Sequence, residues 1–290
     1  MFNIIKIKAN DFSLSKTMNS GSPITFIFRQ VGDYYYIPYN NLMIKVKQSG
    51  SDHGYSELIV DYFPKTEEAP NEIEKAIYHI FDLSFNYQNF INFAKTDNAL
   101  KLAVQNAYGI RVTQTSPWEA LLCMVVSQQN RITKIRNTIQ KFMESFGKRI
   151  VWGKNEFYTF PSYDALFEKS ETWKDGFALG YRYAYVEKIV EQLHHGKFNL
   201  DELGSLNYEE AKNKLMSLYG VGDKISDAVL VFGYGKKEGF IIDTWIKKIM
   251  RKYFIKNDLD VGKTHSFALN RWKYYSSYVN QTIYFSRDIF

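Results

Sequence analysis

The sequence predicts an α+β protein, with an N-terminal antiparallel β-sheet domain followed by a larger all-helical domain. Three observations carry that reading. Short apolar stretches broken by turn residues occupy about residues 3–64, and the hydrophobic period becomes helical from about Asn71. Further on, a turn bracketed by Gly220 and Gly222 joins two helices.

In the first segment, Phe26, Phe28, Tyr34, Tyr36 and Leu42-Met43-Ile44-Lys45-Val46 lie in short stretches, several of them alternating. Gly32-Asp33, Asn40-Asn41 and Ser49-Gly50 separate them as turn signals. The change comes with Ile73, Ala76, Ile77 and Ile80, which fall at i, i+3, i+4 and i+7 and give one apolar helical face.

The clearest helix start is Ser116-Pro117-Trp118-Glu119. Serine can cap, proline suits the first helical position, and a glutamate three residues after the cap can reach back to it. The run from Ala120 to Val126 is almost wholly apolar, so this helix is expected to be buried on most sides. A helix over Thr133 to Phe146 should end at Gly147. A loop with Gly153 and Pro161-Ser162 then leads to helices around Ala165, Tyr185–Leu193 and Tyr208–Leu218. We place the sheet-containing domain at 1–108 and the helical domain at 109–290, with the paired helices and their turn at about 211–233.

Composition narrows the function classes. The chain has 290 residues, enough for two domains, and 45% of them are hydrophobic. The net charge of +6 is compatible with a polyanionic partner but does not establish one. Cys123 is the only cysteine, which excludes an internal disulfide and any cluster or zinc site built from several thiolates. It sits in an apolar run and is expected to be a buried, inert thiol. The N-terminus alternates too early with lysine for a signal peptide, and no apolar run approaches a membrane span of ~20 residues. The expected location is intracellular: the cytoplasm or nucleoid if the source is prokaryotic.

The most informative stretch is Leu218-Tyr219-Gly220-Val221-Gly222-Asp223-Lys224. A helix runs into it and a second follows. Glycine allows a tight turn and leaves N–H groups uncovered at a helix N-terminus, a ready phosphate site. This is the pattern of a helix-hairpin-helix, although a simple helix corner needs glycine for geometry too. Lys224 falls in the first turn of the second helix, where the macrodipole and burial both disfavour its ammonium form. A neutral amine is what nucleophilic lysine chemistry requires. Asp223 would oppose that if its carboxylate faced Lys224, and a solvated charge or a phosphate contact is the plainer reading of such a lysine. Downstream, Phe240-Ile241-Ile242 precede Asp243, which suggests a carboxylate carried inward; Asp243 can also cap the following helix.

Taken together, the hairpin, Lys224 and Asp243 resemble the helix-hairpin-helix DNA glycosylase superfamily. They resemble in particular its bifunctional 8-oxoguanine DNA glycosylase/AP lyase branch, whose signature is Gly-Val-Gly-x-Lys followed by apolar-apolar-Asp. Gly109-Ile110-Arg111, Pro117-x-Glu119, Ser127 through Ile132, Phe160-Pro161-Ser162, Leu179-Gly180-Tyr181-Arg182 and Tyr208-Glu209-Glu210-Ala211 follow in the family's order. The resemblance implies that Lys224 attacks C1′ of a damaged nucleotide and that the resulting Schiff base permits β-elimination. Asp243 would stabilise the cationic sugar and handle protons.

The same resemblance implies a double-stranded DNA partner carrying a damaged base, held at Gly220, Val221, Gly222, Asn130 and Thr244. Tyr181 would fill the gap left by the flipped base, with Gln129 and Arg182 addressing the orphaned partner. Lys134 stands where the family has arginine and cannot make its planar fork. An ungapped extension puts Asn280 and Tyr284 in the base pocket; a shift of one residue would choose Gln281 and Phe285 instead. Where the family uses a glycine carbonyl to detect an oxidised purine, Thr25 stands in register, and Gly21 serves only with a short insertion. No metal or organic cofactor is required, and the protein is expected to act as a monomer. The alternatives are a monofunctional glycosylase for alkylated bases and a non-catalytic helix-hairpin-helix DNA-binding protein.

Overall fold

The computed structural model describes residues 4–65, 69–174, 176–255 and 260–290; residue 3, where the β-rich reading begins, lies outside them. Five strands form one antiparallel sheet: β1 (Ile5–Lys8), β2 (Arg29–Val31), β3 (Tyr34–Tyr39), β4 (Leu42–Gly50) and β5 (Ser56–Phe63), in the order β1-β5-β4-β3-β2. Alternation decides which face is inward. In β5, Ser56, Leu58, Val60 and Tyr62 are buried, while the residues between them are not. That face covers the helix Ala69–Ile80 through Ile73, Ala76, Ile77 and Ile80, with Phe12 and Phe81 closing the core.

Two short helices interrupt the β-rich segment, Leu14–Met18 and Ile24–Ile27. Phe26, expected in a strand, lies in the second. The reason is tertiary. Phe26 and Ile27 leave the sheet to join the core of the helical domain, and Gln140 Nε2 donates to both of their carbonyls at 2.9 Å. A second departure is the hairpin Arg149–Trp152 and Asn155–Tyr158 in the segment read as a loop. Its Phe157 stacks on Tyr36 of the sheet with centroids 4.3 Å apart.

The helical domain is built around Pro117–Val126, in which every residue from Ala120 to Val126 is buried. The capping box is present: Ser116 Oγ accepts the Glu119 N–H at 3.2 Å, and Glu119 Oε2 accepts the Ser116 N–H at 2.7 Å. The next helix, Ile132–Phe146, ends at Gly147 as expected. Cys123 is a free thiol with no exposed surface, and burial pushes its pKa well above the ordinary thiol value.

Arg111 joins the two domains. Its buried guanidinium lies 3.9 Å over the Tyr87 ring and donates to the Gly109, Ile110 and Asn10 carbonyls. Among the described residues, no helix is long and apolar enough to cross a membrane.

Ser116→Ala removes the acceptor for one helix-terminal N–H and should cost about 1 kcal/mol. The chemical-denaturation midpoint should fall while the denaturant slope stays unchanged.

Candidate active site

The hairpin consists of the helix Tyr208–Met216, a tight turn and the helix Asp223–Tyr234. The turn closes with the Val221 N–H on the Leu218 carbonyl at 3.1 Å. Gly220 has φ +82°, and a Cβ there would lie 2.3 Å from the Tyr185 ring, so only glycine fits. Its carbonyl accepts from Gln128 Nε2 at 3.1 Å. Val221 points into the core, which leaves only its backbone for outside contacts. Gly222 caps the second helix in extended backbone, with open space where a Cβ would stand.

Lys224 is the second residue of that helix, in its first turn. Burial lowers its pKa below the ordinary lysine value, and the Asp243 carboxylate pulls it partly back. Among the described residues, no hydrogen bond or ion pair occupies its amine. The neighbouring Asp223 carboxylate is held by Lys212 Nζ at 3.1 Å. Asp243 is the N-cap of the helix Thr244–Ile249, its Oδ1 accepting the Ile246 N–H at 2.8 Å. The cap thus orients the carboxylate whose field reaches Lys224.

Both residues line a cleft of about 910 Å³. The segment 127–133, the segment 241–247, the C-terminal helix Ser276–Phe285 and Ser20-Gly21 form its walls. Among the described residues, its charged lining is Arg131, Lys224, Lys247 and Arg287 against the single carboxylate of Asp243. Gln129, Asn130, Thr244, Asn280 and Tyr284 all reach this cleft. Gln281 does too, but Phe285 is not in its lining. Asn280 Nδ2 donates to the Ile241 carbonyl at 2.9 Å, and Gln281 Nε2 donates to the Ser20 carbonyl at 2.7 Å. The two amides therefore tie the C-terminal helix to two other segments of the cleft lining.

The Tyr284 ring rests on Gly21, which has φ +80°; a Cβ there would come within 2.7 Å of Cε1. Thr25, which stands in the glycine register, is buried. It accepts the Gly21 N–H at 3.0 Å and donates to the Met18 carbonyl at 2.9 Å. Gly21 thus lines the cleft, and Thr25 supports its loop. Burial raises the Tyr284 hydroxyl above the ordinary tyrosine value.

At the rim, Gln129 is exposed and takes φ +45°. Arg182, expected to address a base, is instead buried. Its Nε donates to the Gln128 carbonyl at 2.6 Å, Nη2 to Gln129 at 2.9 Å and Nη1 to Leu179 at 3.1 Å. With those donors committed, it buttresses the rim. Tyr181 is 47% exposed, with its hydroxyl on the Gln128 carbonyl and the Arg182 guanidinium 4.6 Å from its ring centroid. Lys134 is exposed and outside the cleft lining.

Sequence reasoning missed Ser20, Gln128, Lys247 and Arg287. Arg287 lies 4.8 Å over the Tyr284 ring. The sequence offered little to find them, since they are polar residues at element ends. Only Gln128, inside the polar break Ser127-Gln128-Gln129-Asn130 between apolar helices, carried a signal.

Comparisons with known proteins agree with this fold. The profile of the 8-oxoguanine DNA glycosylase N-terminal domain matches residues 4–121. The structure of a Clostridium acetobutylicum 8-oxoguanine glycosylase/lyase, in complex with double-stranded DNA containing cytosine opposite 8-oxoguanine, aligns with a TM-score of 0.87. It is 25% identical, over 100% of this chain and 98% of that one. A probable N-glycosylase/DNA lyase of Methanothermobacter thermautotrophicus is 22% identical, over 95% of this chain and 93% of its own length. A DNA-3-methyladenine glycosylase of Bacillus subtilis is 23% identical, over 89% and 85%. The chain belongs to the helix-hairpin-helix DNA glycosylase superfamily and, within it, resembles the 8-oxoguanine DNA glycosylase/AP lyases.

Proposed function

We propose that the protein is a bifunctional DNA glycosylase/AP lyase that excises an oxidised purine, 8-oxoguanine, from double-stranded DNA, acting as a monomer. The observation that carries this reading is the desolvated amine of Lys224, unpaired among the described residues, in a cleft lined by the carboxylate of Asp243. A pure DNA anchor needs neither feature.

In this mechanism the neutral Lys224 amine attacks C1′. The C1′–N bond breaks with its electron pair leaving on the base, and the base takes up a proton. Asp243 offsets positive charge as it develops on the sugar. Loss of a proton from nitrogen and opening of the ring leave a Schiff base between Nζ and C1′. Removal of a C2′ proton then expels the 3′ phosphate, and water releases the enzyme. Tyr284, Gly21 and Asn280 supply the pocket for the extruded base, with the Gly21 backbone beside its edge. The open space before Gly222 and the exposed Lys134, Thr244 and Tyr181 suit a duplex lying across the hairpin and rim.

Lys224→Gln should abolish base release and nicking while leaving lesion-DNA binding within a few-fold. Borohydride should trap a protein–DNA adduct with the unmodified chain and none with the variant; a normal adduct from the variant would assign the nucleophile elsewhere. Asp243→Asn should slow turnover severely yet retain some adduct. Base release with no adduct from the unmodified chain would place it with the monofunctional glycosylases.

The pH dependence has a defined sign. The rate of adduct formation should rise with pH through a midpoint below the ordinary lysine value of 10.5. The folded chain binds this proton less tightly than the unfolded chain does. The ammonium therefore costs stability below the folded pKa, and that cost disappears as pH rises to the unfolded value. Lys224→Gln should raise Tm at neutral pH, with the gain vanishing in strongly alkaline buffer.

Partner discrimination should be weak, because Arg182 is committed to carbonyls and Lys134 lacks a planar fork. Excision opposite C, A, G and T should differ less than about tenfold, equivalent to roughly 1.4 kcal/mol. A hundredfold preference for cytosine in single-turnover assays would refute this.

A further inference from the structure

Behind the hairpin lies a charged cluster that the chemistry above does not use. Lys212, on the first hairpin helix, is buried to 9% side-chain exposure, an unusual state for a lysine. Its Nζ contacts Asp227 Oδ1 at 2.9 Å and Asp223 Oδ1 at 3.1 Å, both on the second hairpin helix. Tyr208 donates to Asp227 at 2.6 Å, and His265 Nε2 stands 3.8 Å from the same carboxylate. Asp227 Oδ2 is buried without a hydrogen bond, so the cluster is held together by charge more than by complete hydrogen bonding.

Asp223 is the outer end of this cluster, half exposed, and directly precedes Lys224 in the helix's first turn. A carboxylate in the first turn stabilises a helix but also attracts a nearby ammonium. An uncompensated Asp223 would therefore act with Asp243 to keep Lys224 protonated.

We propose, on the reading of Lys224 as the nucleophile, that Lys212 is a positioning residue: it binds and cancels the Asp223 carboxylate, so that Asp243 alone sets the field at the amine. The surroundings agree. The cleft side of Lys224 carries Asp243, Tyr284, Arg131, Lys247 and Arg287, and the far side carries Lys212, Asp223, Asp227, Tyr208 and His265. Asp243 raises the Lys224 pKa, while the Asp223 carboxylate is turned to Lys212 Nζ at 3.1 Å. Burial alone would lower the Lys212 pKa, yet its two carboxylates carry it above the ordinary lysine value, so it remains a cation throughout the working range.

The test is the titration of Lys224 Nζ in 15N-lysine-labelled protein, with the resonance identified by its loss in Lys224→Gln. Lys212→Met should raise the midpoint by roughly half to one pH unit, three- to tenfold less neutral amine. Adding Asp223→Asn should return it, and Asp223→Asn alone should leave it at or slightly below the original value. Lys212→Arg should keep it unchanged. If Lys212→Met does not fold, because it strands Asp227, Lys212→Met with Asp227→Asn removes that buried charge and should show the same rise, again reversed by Asp223→Asn. An unmoved midpoint in the Lys212 variants, or a rise that Asp223→Asn fails to reverse, overturns the proposal. The titration needs no turnover, so the predicted shifts in a protein that never traps an adduct would uphold the electrostatic arrangement while removing the lyase reading.

Discussion

The site depends on the contact between Gly220 and the face of Tyr185. A methyl group at Gly220 would overlap the ring, so hairpin and helix approach as closely as backbone and aromatic surface allow. That approach brings the Gly220 carbonyl to Gln128, whose own carbonyl is held by Arg182. One chain of contacts therefore runs from the helix Arg182–His194 through the rim to the hairpin and sets the height of Lys224 in the cleft. Arg182 serves as a strut within it. A guanidinium has rigidly directed donors, and here they meet the carbonyls of Gln128, Gln129 and Leu179.

Electrostatics then act on a framework already in place. Burial favours the neutral amine of Lys224 and Asp243 partly restores the charge, which leaves its pKa below the ordinary lysine value. Asp243 is held by its own helix cap, so its position costs no further side-chain ordering. The cleft is otherwise cationic, which suits a polyanion entering from outside and concentrates negative compensation at one point.

Much of this was legible in the residues. The sheet followed by helices, the capping box at Ser116, the end of a helix at Gly147 and the hairpin all follow from local rules of period, capping and turn chemistry. Two elements were not legible. Phe26 reads as strand by composition but is helical, because its burial partner is the distant helix Ile132–Phe146. The hairpin around Gly153 is held by Phe157 on Tyr36, a partner in the other domain.

The sequence by itself determined the residue types and their order: glycines where only glycine fits, a lysine at the start of a helix, and an aspartate after an apolar run. These are local properties, set by backbone sterics and by spacing along one chain. Only the tertiary structure decided which groups face one another. It turned Asp223 toward Lys212, placed Tyr284 on Gly21 instead of near Thr25, and committed Arg182 to the rim. The first joins the two helices of one hairpin, and the other two join segments far apart in the chain. Their energies come from burial and from satisfying polar groups between separate elements, and periodicity along the chain does not say which elements will face each other.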